Sequence, residues 1–229
     1  MTPAKPRMSL PNKIALGVAA FAVAALVAVT LTVNSTNGSN SANTAKHQDL
    51  AKGAEVVRDG SHVLSKAEDE KAVLVEFLDF ECEACRAAYP LVQELKKDYG
   101  KHVTFVARYY PLPGHPNSME AAMAVEAAAR QGEFRAMYRK MFETQREWSH
   151  SQQSQAKRFR GYAADLGLDM DAFDKSLQDP STKARILLDK SDGAGLGVTG
   201  TPTFFLNGTK IEPGSEAEFR RLIEQAIAG

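Results

Sequence analysis

Apolar residues follow three regimes along the chain, and each predicts a different kind of structure. The first is an unbroken run, Ile14 to Val33, of 20 residues without a charge. A helix of that length rises roughly 30 Å, the thickness of a bilayer's hydrocarbon core. Lys5, Arg7 and Lys13 precede it, and positive charge stays on the cytoplasmic side. The run is longer than the apolar region of a cleaved signal, and its small residues lie inside it rather than after it. It predicts a cytoplasmic N-terminus over 1–13, an uncleaved transmembrane signal anchor over 14–33, and the rest of the chain outside the cytoplasm. The second regime, opening with "NSTNGSNSANTAKHQ" from Asn34, has few apolar residues and predicts a flexible linker over 34–55.

The third regime is periodic and fills 56–229. Val73 to Leu78 is nearly all apolar, as in a strand buried on both faces. Ala88, Leu91, Val92, Leu95 and Tyr99 then form one helical stripe, stopped at Gly100 and kinked at Pro90, whose nitrogen cannot donate to the carbonyl of Arg86. Val103 to Tyr110 is a second strand. From about 117 to 191 the spacing is only helical. Asn117 and Glu120 read as a capping pair. Stripes follow at Phe134, Met137, Tyr138, Met141 and Phe142, at Phe159, Tyr162, Ala163 and Leu166, and at Met170, Phe173 and Leu177. A further helix from about Ser181 carries Leu187 and Leu188. Two short strands, Thr203–Leu206 and Thr209–Ile211, flank the two-residue hairpin signal Asn207-Gly208. A last helix over about Ser215–Ala228 buries Phe219, Leu222, Ile223 and Ile227. The order predicts an α/β domain in which a helical insertion separates a strand–helix–strand unit from a hairpin with a covering helix.

Charge narrows the partners. Formal net charge is zero, but residues 1–48 hold four bases and no acid, which leaves 24 bases against 28 acids and a charge of −4 on the remainder. A mildly acidic domain lacks the basic face that nucleic acid requires. The two cysteines are too few for a disulfide-stapled scaffold or for a structural zinc site of their own. The five histidines (His47, His62, His102, His115 and His150) show no paired metal spacing, so no metal is expected.

The candidate chemistry lies in Cys82-Glu83-Ala84-Cys85, at a strand-to-helix junction. There the unpaired N–H groups and the dipole of a helix N-terminus favour the thiolate of the first cysteine. The second lies one turn inside, within reach of a disulfide. Cys82 is thus the candidate nucleophile and Cys85 the resolving thiol. The plainer alternatives are an inert structural disulfide or half of a metal site. His115, in the loop after the second strand, is placed either to line the active-site face or as a surface-loop histidine, the commoner case, and Lys157-Arg158-Phe159-Arg160 reads as a solvated helix face with Phe159 turned inward. The methionines at 119, 123, 137 and 141 follow helical spacing and read as core.

With these residues in place the chain resembles the thioredoxin superfamily, and within it the DsbA-like branch of extracytoplasmic thiol–disulfide oxidoreductases. The resemblance rests on "VLVEFLDFECEAC", on Pro90 eight residues after Cys82, on "GVTGTPTFFLNG" (Gly197 to Gly208) and on "PLPGHPNSMEAAMAVEAAARQGEF", and covers about residues 60–229. It implies a thioredoxin fold with a helical insertion, preceded by one transmembrane helix. It also implies a cis peptide at Thr201–Pro202, an edge at Thr201 that pairs with an extended substrate segment, and Glu76 as proton acceptor for Cys85. Taken alone, Glu76 could instead pair with Lys71 or Arg108. The implied activity is oxidation of reduced or unfolded exported proteins by the Cys82–Cys85 disulfide, with no other cofactor. A membrane reoxidase of the DsbB or vitamin-K-epoxide-reductase type would restore the pair. A reductase or isomerase of the same compartment, or a tethered binding module with a structural disulfide, are the alternatives. The chain departs from the branch at Glu83 and Ala84. Glu83, with Glu81 on the other side of Cys82, is expected to tune the thiol upward against the helix terminus and make the pair less oxidising.

Overall fold

The computed structural model describes residues 54–229. The predicted anchor over 14–33 and nearly all of the linker lie outside the described residues. Five strands form one mixed sheet: β1 (His62–Ser65), β2 (Ala72–Leu78), β3 (Val103–Tyr109), β4 (Thr203–Leu206) and β5 (Thr209–Ile211), in the spatial order β1-β3-β2-β4-β5. The central pair β2 and β3 runs parallel, in register from Ala72 opposite Val103 to Leu78 opposite Tyr109. The parallel step is possible because helix α1 (Glu83–Tyr99) carries the chain back between them. Its Pro90 lies inside the helix. Strand β4 runs antiparallel to β2, with Glu76 opposite Phe204. Asn207 and Gly208 close the β4–β5 hairpin with φ of 49° and 82°, the positive pair such a turn demands.

The sequence periodicity gave no sign of β1. Its four residues are too few to show alternation, and they pair antiparallel with β3 across a register shift between Val63 and Ser65.

Between β3 and β4 the insertion supplies α2 (Ser118–Ala129), α3 (Phe134–Thr144), a 3-10 turn (Gln145–Glu147), α4 (Ala156–Asp165), α5 (Met170–Gln178) and α6 (Pro180–Gly195); α7 (Glu216–Ala228) ends the domain. Phe159 is buried on α4 as expected, and so are Met137 and Met141 on α3. Leu187 and Leu188 are exposed on α6, whose buried apolar residue is Ile186. The expected capping pair at Asn117 is a correction. Asn117 occupies the N-cap of α2 but makes no cap bond. Its side chain and that of Glu120 instead accept the N–H of Gln155, tying down the loop before α4.

Successive β2 residues face opposite sides of the sheet. Leu74 and Leu78 join the main core with α1 and the insertion helices; Val75 and Phe77 join a second cluster with Val106, Tyr110, Val198 and Phe205. Glu76 falls on the Leu74–Leu78 side, the same side as Cys85. Beyond the second cluster Arg108, fully buried, meets Asp189 at 2.6 Å and Asp192 at 2.5 Å and donates to the carbonyls of Glu55 and Val56. This network joins β3, α6 and the first described residues.

Candidate active site around Cys82 and Cys85

Cys82 is the N-cap of α1, with extended backbone (φ −72°, ψ 123°), so its sulfur stands at the helix's positive end. Asp79 shapes the approach. Its carboxylate accepts the N–H of Glu81 at 2.8 Å and its carbonyl accepts the N–H of Cys82 at 3.2 Å. Cys85, one turn inside, is fully buried, whereas Cys82 keeps 7% of its surface. Both are free thiols. The hydrogen bond from Cys85, assisted by N–H groups of the first helical turn, outweighs burial and lowers the Cys82 thiol to about 5. Burial pushes Cys85 well above the usual thiol range, and its bond to Cys82 and the nearby charge of Glu76 push the same way.

The Thr201–Pro202 peptide is cis. Its loop faces the pair: the Cys82 thiol donates to the carbonyl of Thr201 at 3.3 Å. Beside the loop runs an open groove of about 660 Å³, lined by Ala88, Leu91, Pro202, Phe204, Ile211 and Phe219 among others.

Glu76 lies 3% exposed, and its Oε2 has no hydrogen-bond partner. Burial, with the Cys82 charge adding to it, raises its carboxyl to about 8. The two bases that could have neutralised it are engaged elsewhere: Lys71 with Asp69, Arg108 with Asp189 and Asp192. Glu83 is exposed, and its Oε1 meets His150 Nε2 at 2.5 Å. Its own N–H at the helix start, followed by the charges of His150 and His115, lowers its carboxyl. The site thus brings Cys82, Cys85, Thr201, Pro202 and Glu76 together, while Glu83 turns to a histidine.

Several participants are not evident from sequence spacing. Glu81, fully buried, accepts the N–H groups of Asn117 at 2.6 Å and His150 at 2.7 Å. Gln145 donates to the carbonyls of Phe80 and Cys82. His115 is a correction: it is not a free loop residue but holds Asp79 through Nδ1 at 2.7 Å. The alternation of acids in "DFECE" was the available signal. Its partners lie 33 to 69 residues away. Among the described residues no cluster of three His, Cys, Asp or Glu side chains is arranged for a metal ion.

A family model described as thioredoxin matches residues 62–225. Among curated proteins, the Na(+)/H(+) antiporter NhaA 1 of Mycobacterium sp. (strain KMS) is 35% identical over 162 residues, 68% of this chain and 25% of the antiporter. The NhaA 1 of Salinispora arenicola (strain CNS-205) is 40% identical over 154 residues, 66% and 22% respectively. The chain spans about a quarter of the length of these curated relatives. Among solved structures, a thioredoxin-like oxidoreductase from Silicibacter pomeroyi DSS-3 superposes with a TM-score of 0.63 at 25% identity, over 75% of this chain and 95% of that one. BdbD from Bacillus subtilis (TM-score 0.65, 21% identity, 77% and 97% covered) and Wolbachia pipientis alpha-DsbA1 (0.64, 22%, 76% and 94%) share the fold.

Proposed function

The chain belongs to the thioredoxin family, and from that premise we propose that it is an extracytoplasmic thiol–disulfide oxidoreductase that introduces disulfides into exported proteins. One observation carries the reading: an acidic thiol, Cys82, at a helix N-terminus, 3.3 Å from the carbonyl of Thr201 and backed by a buried second thiol. Sodium–proton exchange is named for whole relatives of which this chain spans about a quarter, and it is not part of the proposal.

In the oxidised pair a substrate thiolate attacks Cys82 Sγ. The Cys82–Cys85 bond breaks, and Cys85 leaves as a thiolate that takes a proton from Glu76. A carboxyl raised to about 8 still holds that proton at neutral pH. A second substrate thiolate attacks the substrate sulfur of the mixed disulfide, forms the substrate's own disulfide and releases Cys82 as a thiolate. Two electrons pass to the pair. In the reverse direction Glu76 accepts the Cys85 proton. The backbone at Thr201 pairs with the extended substrate segment, and the groove beside Pro202 takes neighbouring side chains.

On this reading residues 14–33 anchor the domain outside the cytoplasm, 34–55 tether it, and a membrane reoxidase of the DsbB or vitamin-K-epoxide-reductase type restores the disulfide. A reductase or isomerase role has one observation in its favour. Three acids, Asp79, Glu81 and Glu83, lie within three positions of Cys82 in the chain, and negative charge opposes the thiolate and lowers oxidising power. The oxidised chain should reactivate a reduced, unfolded model enzyme catalytically. Its potential against glutathione should lie above about −200 mV, with the pair mostly disulfide in the cell. A pair mostly dithiol in the cell, with a potential near about −270 mV, would reverse the direction.

A further inference from the structure

A row of acids stands at alternate positions 79, 81 and 83, on either side of Cys82 in the chain. Two loops of the helical insertion meet it. His115 Nδ1 lies 2.7 Å from Asp79 Oδ2, and His150 Nε2 lies 2.5 Å from Glu83 Oε1. The N–H of His150 donates to Glu81 Oε1 at 2.7 Å. The two imidazoles touch edge to face, with centroids 5.5 Å apart and planes at 88°. His150 adopts φ 60°, a left-handed conformation uncommon outside glycine. Bonds from its N–H and from its ring hold it there.

Each imidazole pairs with an acid close to Cys82 in the chain. Asp79 receives the Cys82 N–H, and Glu83 is the next residue in the chain. Resting on the reading of Cys82 as the reactive thiol, we propose that His115 and His150 are positioning residues of this site. They form an imidazole pair, delivered by the insertion, whose positive charge offsets the acids and makes Cys82 thiolate stability depend on imidazole protonation.

The groups that face His115 are Asp79, Glu81, Cys82 and Glu83 from the active-site loop and His150 from the insertion. Those that face His150 are Glu83, Glu81 and His115. Burial, the largest single influence on His115, lowers it. The bond to Asp79 and the charges of Asp79, Cys82 and Glu81 together exceed that, so the net direction is upward. The ring therefore keeps its proton to higher pH than a free histidine. Once it is lost, the acids stand uncompensated, the thiol's affinity for its proton rises, and the disulfide becomes less oxidising. At a separation of ~7 Å and an effective dielectric of ~40–80, one imidazolium shifts a thiol by about half a unit to one unit.

The test is the rate of Cys82 alkylation by iodoacetamide against pH in the reduced full chain. His115→Gln and His150→Gln should each raise the Cys82 midpoint by about half a unit to one unit, and 0.5 M salt should shrink the effect. Glutamine at 115 can still donate to Asp79, so a merely structural role leaves the midpoint unmoved. The reciprocal measurement does not depend on the folding of these variants. Cys82→Ser should lower the His115 ring titration, read by NMR, by a similar amount. Unmoved midpoints in variants with native circular dichroism, or a His115 titration indifferent to Cys82→Ser, would overturn the proposal. Catalysed exchange with an unmoved thiol sinks the imidazole pair alone; a histidine-shifted thiol without catalysed exchange sinks the functional reading alone.

Discussion

A carboxyl group buried near Cys85, whose Oε2 has no hydrogen-bond partner, costs the fold stability unless it holds a proton. Glu76 is raised from 4.5 to about 8. Between those values the native state holds a proton that the unfolded chain has released, so stability falls as pH rises across that window. The loss is on the order of a few kcal/mol. Glu76→Gln should therefore match the wild type near pH 5 and be the more stable of the two at pH 8–9, as denaturant melts at both pH values would show. A difference that does not grow with pH would mean that Glu76 is charged or solvated. The same variant should slow proton-coupled departure of Cys85. At this scale the contiguous motif was legible: the structure gathers Cys82, Cys85, Glu76, Thr201 and Pro202, all singled out from the sequence, in one place. Glu83 was legible only in part, because its partner His150 lies 67 residues on. Asp79, Glu81, Gln145 and the two histidines acquire meaning only when the insertion folds over the loop, and no local spacing reports that.

At the scale of elements, α6 approaches the sheet at Gly193, where an added Cβ would stand 2.7 Å and 2.9 Å from ring carbons of Tyr110 and 3.0 Å from Phe77. Helix propensity favours alanine there by about 1 kcal/mol. Overpacking against two rings costs about 1–3 kcal/mol. The steric effect should win, and Gly193→Ala should lower the thermal midpoint by a few degrees; an unchanged or raised midpoint would mean that α6 slides freely. The long elements could be read from sequence: α1 and α7 because one face of each is buried against the core, β2 and β3 because both faces are buried and their residues run mostly apolar. Strand β1 could not: four residues carry no period, and its pairing with β3 spans some forty positions of chain. The capping pair at Asn117 was misread because both side chains serve the distant loop at Gln155.

For the molecule as a whole, the buried Arg108 binds the start of the domain to α6 through the carbonyls of Glu55 and Val56 and the carboxylates of Asp189 and Asp192. The proposed tether thus joins a fixed point. Full-length protein should fractionate with membranes, and external protease should release a fragment beginning near residues 34–55. A soluble mature protein starting after Val33 would mean a cleaved signal instead. The fold class was legible because the order of elements is itself diagnostic, whereas the direction of electron flow depends on energies of a few kcal/mol around one sulfur. The central claim, that Cys82 attacks or is attacked and Cys85 resolves, has a direct test: mixed-disulfide trapping in cells, read on non-reducing gels and by mass spectrometry. Cys85→Ser should accumulate conjugates with exported proteins through Cys82, and Cys82→Ser should trap few. Equal trapping by both variants, or conjugates through Cys85, would contradict the account.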